Sequence, residues 1–168
     1  RLVTIPAISG EREKKPFTFI TLLLLRVSRQ RSKHVAAVIL ARGGSKGIPL
    51  KNLAPVGGRS LLRISLEEAL SVGFDSVWVS TEHPDIRSEA ERLPGVNVHW
   101  RSSENAEDWS SSVDALREFV SCRPEVDAVA LLQCTSPFQN RKYLGEALER
   151  IRRSDTICVF SVTKCKLD

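Results

Sequence analysis

Apolar residues follow two alternating rhythms along this chain. Val35–Leu40 (VAAVIL) is an unbroken apolar run, as expected of a strand buried on both faces of a parallel sheet. Leu61–Val72 then places Leu61, Leu62, Ile64, Leu66, Ala69 and Leu70 at helical spacing, with Gly73 where a helix would stop. Ser76–Ser80 (SVWVS) reads as a second short strand. Pro84–Leu93 reads as a polar helix, opened by Pro84 at a favoured first position and ended by Pro94-Gly95. The pattern continues with a strand over Val96–Trp100 and a helix over Ser111–Cys122, whose Val113, Leu116, Phe119 and Val120 share one face. A fourth strand at Ala128–Leu132, a helix at Arg141–Arg153 and a fifth strand at Thr156–Val162 complete it.

Such an alternation with short connectors predicts an α/β fold, a Rossmann-like three-layer sandwich with a mostly parallel sheet between helices. Crossovers in these sheets are right-handed, and ligands lie beyond the carboxyl ends of the strands. The residues that carry chemistry are therefore expected just after each strand.

Composition narrows the class. With 42% hydrophobic and 27% charged residues, the 168-residue chain has the make-up of a globular domain and the size of one. The net charge of +5 is unevenly placed. Residues 1–34 hold eight Lys and Arg against Glu11 and Glu13, and the other 17 basic and 18 acidic residues nearly cancel. A neutral body argues against a general nucleic-acid face. Cys122, Cys134, Cys158 and Cys165 show neither a CxxC pair nor His at ligand spacing, which argues against a zinc site or a disulfide framework and suits a reducing compartment.

Residues 1–33 form a basic leader, to be read as disordered or targeting, ahead of a nucleotide domain over 34–168. The leader's apolar run Phe17–Leu25 has nine residues, too few to cross a bilayer as a helix, so no stable membrane insertion is expected, and the run reads either as a weak membrane-targeting segment or as a strand or helix packed on the body. Arg26, Arg29, Arg31 and Lys33 form either a nuclear-import patch or a solvated basic cluster, leaving nucleus and cytoplasm both open.

The first strand runs into Leu40-Ala41-Arg42-Gly43-Gly44-Ser45-Lys46-Gly47-Ile48-Pro49-Leu50-Lys51-Asn52. Glycines let backbone N–H groups approach a ligand closely, and Arg42, Lys46 and Lys51 add three cations, a combination suited to phosphate oxygens. The loop is not a Walker A motif, because Lys46 is followed by Gly47-Ile48 and not by Ser or Thr, and GxGxxG is also absent.

This segment resembles the N-terminal signature of the N-acylneuraminate cytidylyltransferases, the CMP-sialic acid synthetases. Three further strand ends carry the resemblance: Val79-Ser80-Thr81-Glu82, Arg101-Ser102-Ser103-Glu104 with Asp108 to Asp114, and Gln133-Cys134-Thr135-Ser136-Pro137. It spans about Lys33 to Thr163. Two departures stand out: Glu82 where the family usually has Asp, and Trp109 where a small residue is usual. The resemblance implies a nucleotide-diphospho-sugar transferase-like fold and transfer of CMP from CTP to N-acylneuraminate with release of pyrophosphate. KDO-type or other sugar-acid cytidylyltransferases share a looser form of the signature.

By the same resemblance Arg42 and Lys51 contact CTP phosphates as catalytic residues. Gly43, Gly44, Ser45, Lys46, Asn52, Arg101, Ser110, Ser112 and Gln133 complete the nucleotide site. Gln133 offers the donor and the acceptor that reading a cytosine edge requires. Ser80 and Thr81 either shape that pocket or satisfy backbone donors, and His83 is expected to face solvent. Mg²⁺ is the implied cofactor, and a homodimer or homotetramer the implied state of the complete protein. No DxD pair follows a strand, so no metal ligand is assigned. The chain is expected to be C-terminally incomplete, lacking the metal and sugar sites, with a catalytically incomplete CTP-binding subunit as the alternative reading.

Overall fold

The computed structural model describes residues 2–6, 21–23, 32–45, 47–137, 139–153 and 158–162. Lys46, Arg26, Arg29, Arg31, Asp155, Cys165 and Asp168 lie outside them, as does the start of the fifth predicted strand. Strands β1 (Leu2–Pro6), β2 (Thr21–Leu23), β3 (Val35–Leu40), β6 (Ser76–Thr81), β7 (Val96–Trp100), β8 (Ala128–Leu132) and β9 (Cys158–Val162) form one sheet in the order β1-β9-β2-β8-β3-β6-β7. The block β8-β3-β6-β7 is parallel throughout, with Ile39 opposite both Val79 and Leu132. β2 runs antiparallel to both β8 and β9 and so fills the gap between them, while β1 pairs parallel with β9. The predicted fifth strand thus exists but does not adjoin the fourth.

The central position of β3 explains its composition. Val35, Ala37 and Ile39 pack with helices α1 (Leu61–Val72), α2 (Pro84–Glu91) and α4 (Arg141–Arg153) on one face. Ala36 and Val38 pack with Leu116 and Phe119 of α3 (Ser112–Ser121) on the other. The sandwich is therefore asymmetric among the described residues, with three helices on one side and one opposite. Phe119 anchors the thinner side, meeting the Trp78 ring edge-on at 5.4 Å between centroids and the His99 ring at 5.5 Å.

Local chemistry sets the helix limits. Ser60 caps α1 by accepting from Arg63 N–H at 3.0 Å, and Gly73 ends it with a φ of +85° that glycine adopts without a Cβ penalty. Ser111 caps α3 by accepting from Asp114 N–H at 3.1 Å. Before α1 the chain makes a small hairpin, β4 (Pro55–Val56) and β5 (Arg59–Ser60), that the apolar pattern does not announce. Among the described residues no helix is long and apolar enough to cross a membrane.

Candidate functional site at the carboxyl rim of the sheet

Beyond β3 the ladder continues for one step, with Ala41 N–H donating to Ser80 O at 3.0 Å. The chain then turns over the rim and is held from two sides. Gly43 N–H donates to Glu82 Oε1 at 2.6 Å, and a Cβ on Gly43 would lie 2.5 Å from His83 Cδ2. Glycine alone allows the loop to rest on that ring. From the other side Asn52, buried in the 3-10 turn Lys51–Leu53, donates from Nδ2 to Arg42 O at 3.2 Å. The turn is entered through Leu50 in the left-handed region, with φ of 48°, a conformation that costs a non-glycine residue about 1–2 kcal/mol. The loop backbone is thus pinned by side chains while its Arg42 side chain reaches outward, placing Nη1 2.8 Å from Asp108 Oδ1 in the loop before α3.

Behind Arg42 sits a second guanidinium. Arg101, at the end of β7, is only 4% exposed. Its Nε donates to Ser80 Oγ at 3.1 Å and its Nη2 to Ser80 O at 2.6 Å. Burial pulls its pKa down, opposed by Glu82 and Glu118, with Arg42 adding a further lowering push; an arginine starts so high that it stays charged.

Arg42, Arg101, Asn105, Asp108, Ser110 and Ser112 are among the residues lining a cavity of about 290 Å³. Next to it a cavity of about 210 Å³ is bounded by Asn52, Gln133, Cys134 and Thr135. Leu40 and Ser112 line both, so the two are adjoining halves of one groove along the carboxyl ends of β3 and β8. Its far wall is the start of α3, whose N–H groups and dipole favour an anion.

Of the residues singled out in the sequence, Arg42, Asn52, Arg101, Ser110, Ser112 and Gln133 line the groove. Gly43 supports it from behind through Glu82 and His83. Gly44, Ser45 and Lys51 line neither half; Gly44 is exposed, and Ser45 and Lys51 are half-buried. His83, expected to face solvent, is half-buried: its Nδ1 accepts from Asp85 N–H at 3.2 Å as the cap of α2, and its ring supports Gly43. Thr81 Oγ1 accepts from His83 N–H, the backbone role foreseen as one option. Ser80 does more, serving both Arg101 and His99.

Three participants escaped the sequence reading. Glu82 looks in sequence only like a lengthened Asp, yet it anchors Gly43, and its Oε2 is buried with no hydrogen-bond partner among the described residues. Asp108, which meets Arg42, and Asn105, which meets Glu118, carry no sequence signal for these partners. Cys134 lies in the groove wall, where burial pushes its thiol up to about 12, so it is no nucleophile near neutrality.

The groove is lined from the ends of β3, β7 and β8 and supported from the end of β6, and the sequence comparison identifies the family: residues 36–167 match the family described as Cytidylyltransferase. This chain belongs to the cytidylyltransferase family. Among its relatives are N-acylneuraminate cytidylyltransferase of Oncorhynchus mykiss, 49% identical over 133 residues, and N-acylneuraminate cytidylyltransferase B of Danio rerio, 46% identical over 132 residues. In each case the match takes in 79% of this chain and 31% of the relative, so the cytidylyltransferase segment seen here spans about a third of their length. A solved structure of CMP:2-keto-3-deoxy-manno-octonic acid synthetase complexed with CTP superimposes with a TM-score of 0.60 at 28% identity, covering 70% of this chain and 46% of that one.

Cytidylyltransferase chemistry raises the matter of a metal. Among the described residues no three His, Cys, Asp or Glu side chains converge as a metal cluster. Glu107 and Asp108 line the groove, but Asp108 is engaged by Arg42. The described residues thus form no all-protein cage for Mg²⁺, which in any case takes most of its oxygens from water and phosphate.

Proposed function

We propose that the groove binds CTP and that this chain supplies the nucleotide half of an enzyme transferring CMP to N-acylneuraminate. The observation that carries the reading is the convergence of two guanidiniums, half-exposed Arg42 and buried Arg101, on one polar groove closed by a helix N-terminus. The reaction joins a sugar hydroxyl oxygen to the α-phosphorus of CTP and breaks the bond to pyrophosphate. Negative charge grows on the departing phosphates, and fixed cations at their side lower the barrier. Arg42 is placed to do this, since its partner Asp108 is a single carboxylate that a triphosphate can displace. Arg101 is held rigidly by Ser80 and is suited to orienting the nucleotide. Gln133, at the other end of the groove, suits the base edge. N-acylneuraminate is favoured over a KDO-type acid because the relatives named for it reach 49% identity against 28% for the octonic acid synthetase.

Calorimetry with CTP, ATP and GTP tests the binding step, and CTP is expected to bind most tightly. Equal affinity for all three would sink the assignment. A pyrophosphate-release assay with N-acetylneuraminate and Mg²⁺ then tests turnover; CTP binding without release would favour the reading of a catalytically incomplete subunit. Mg²⁺ would arrive on the triphosphate itself, so EDTA is expected to weaken binding. The same reading expects a homodimer or homotetramer for the complete protein, checked by sedimentation, and a nuclear or cytoplasmic location, checked by imaging the tagged full-length protein.

A further inference from the structure

Behind the groove runs a line of polar side chains that the proposed reaction does not use. Ser80 and His99 are buried, Ser80 completely, and Ser80 Oγ lies 3.1 Å from His99 Nδ1. On the far side of the ring, His99 Nε2 lies 4.0 Å from Glu118 Oε1. Glu118 in turn accepts from Ser102 N–H, the Ser102 hydroxyl and Asn105 Nδ2, and Asn105 lines the groove.

Counting donors assigns the protons. Arg101 Nε can only donate, so Ser80 Oγ accepts from it. The Ser80 hydroxyl hydrogen then has His99 Nδ1 as its acceptor, which puts the ring hydrogen on Nε2, facing the Glu118 carboxylate. The opposite tautomer would strand the hydroxyl hydrogen in a fully buried site and turn a lone pair toward a carboxylate, and both are costly.

We propose that His99 is a positioning residue for the nucleotide site: as the neutral Nε2–H tautomer it takes the Ser80 hydroxyl hydrogen and so fixes Ser80 as the acceptor that aims Arg101. This rests on the proposed binding of CTP in the groove. Protonation of His99 breaks the arrangement. Nδ1 becomes a donor, the Ser80 hydroxyl hydrogen loses its acceptor, and a second positive charge appears beside Arg101.

The groups around the ring set the pH at which this happens. Burial lowers the His99 pKa; Glu118 of α3 raises it, and Arg123 and Arg101 lower it further. Phe119 closes the remaining side. Because the net shift is downward from the ordinary histidine value, the neutral form holds at neutral pH and CTP affinity is expected to fall only in acid, below the ordinary histidine range.

The experiment compares wild type with His99→Asn and His99→Leu in CTP calorimetry from pH 5 to pH 8, with thermal melts as a check on folding. Asparagine can present an acceptor near the place of Nδ1 and cannot be protonated there. His99→Asn is therefore expected to bind within about threefold of wild type at pH 7.5 and to lose the protein's share of the acid weakening. His99→Leu is expected to bind roughly tenfold or more weakly, a loss of about 1.4 kcal/mol. Titration of the triphosphate is common to all three proteins and cancels in the comparison. Equal pH profiles for wild type and His99→Asn, or wild-type affinity in a folded His99→Leu, would overturn the proposal while leaving the CTP site intact. Failure of the wild type itself to bind CTP would strike the functional reading instead.

Discussion

The two ends of the parallel block use the same residue types for opposite purposes. At the amino rim, Asp127 accepts from His34 N–H at 2.8 Å, Asp75 accepts from Val35 N–H at 2.8 Å, and Arg152 Nη2 lies 2.9 Å from Asp75. His34 Nε2 meets Ser76 Oγ at 2.8 Å, and Lys33 Nζ donates to Ile151 O at 3.0 Å. Charged side chains there close off backbone groups where the strands begin, an accounting that any buried strand end requires. At the carboxyl rim, Arg42 meets another partly exposed side chain, Asp108, and Gln133 stands exposed beside an open groove. Both rims are polar, but among the described residues it is the carboxyl rim that lines a groove with donors that a ligand can claim. A charged residue at a strand end therefore signals function only when its partner can be exchanged.

The largest effect that would sharpen this contrast is the loss of Arg42. Arg42→Ala is expected to weaken CTP binding by about 1.5–3 kcal/mol, the range of a lost charge-assisted contact. The same change should leave stability within about 1 kcal/mol, because its pair with Asp108 is partly exposed and such pairs contribute little. Calorimetry and denaturant unfolding measure the two quantities; an unchanged dissociation constant in the folded variant would remove Arg42 from the site.

The amino rim should answer the other way round. Asp75→Ala leaves Val35 N–H without its acceptor and Arg152 without its carboxylate. A stability loss of about 1–2 kcal/mol follows from the orphaned backbone donor, with CTP affinity unchanged. The Asp75 pKa is lowered in the fold: burial works to raise it, and the Val35 N–H, Arg152 and His34 outweigh that. A lowered carboxylate stabilises above its unfolded pKa, and that contribution fades as pH falls through the folded value, so the gap between variant and wild type should close in acid. If Asp75→Ala impaired CTP binding as strongly as Arg42→Ala, the division between the rims would collapse.

This division also shows where the sequence was legible. Elements with one dominant cause were read to within a residue or two: β3 from unbroken apolarity, α1 from its spacing and Gly73, α2 from Pro84. The hairpin β4–β5 was missed because two-residue strands have no periodicity to detect. The place of β2 between β8 and β9 was missed because pairing across more than a hundred residues leaves no local trace. In the site, residues at strand ends could be found because topology fixes where they point. Glu82, His99 and Glu118 were not assigned because they act through other side chains, and such partnership exists only once strands and helices have been brought together.

The smallest predicted effect bears most directly on exchangeable partners. Asp108 lies 2.8 Å from Arg42, so an incoming triphosphate must break that pair before Arg42 can meet it. A partly exposed pair of this kind is worth about 0.5–1 kcal/mol. Asp108→Asn keeps the shape of the side chain and removes its charge, and it also lifts repulsion between a carboxylate and the phosphates. CTP affinity is therefore expected to rise by roughly twofold to fivefold, most at low salt, where charge pairs are least screened. The gain should shrink in an Arg42→Ala background, where the cost of breaking the pair is gone and only the relief of repulsion remains. If Asp108→Asn instead bound CTP more weakly in both backgrounds, Asp108 would be a ligand contact in its own right. Exchange of partners at Arg42 would then no longer be what separates the two rims.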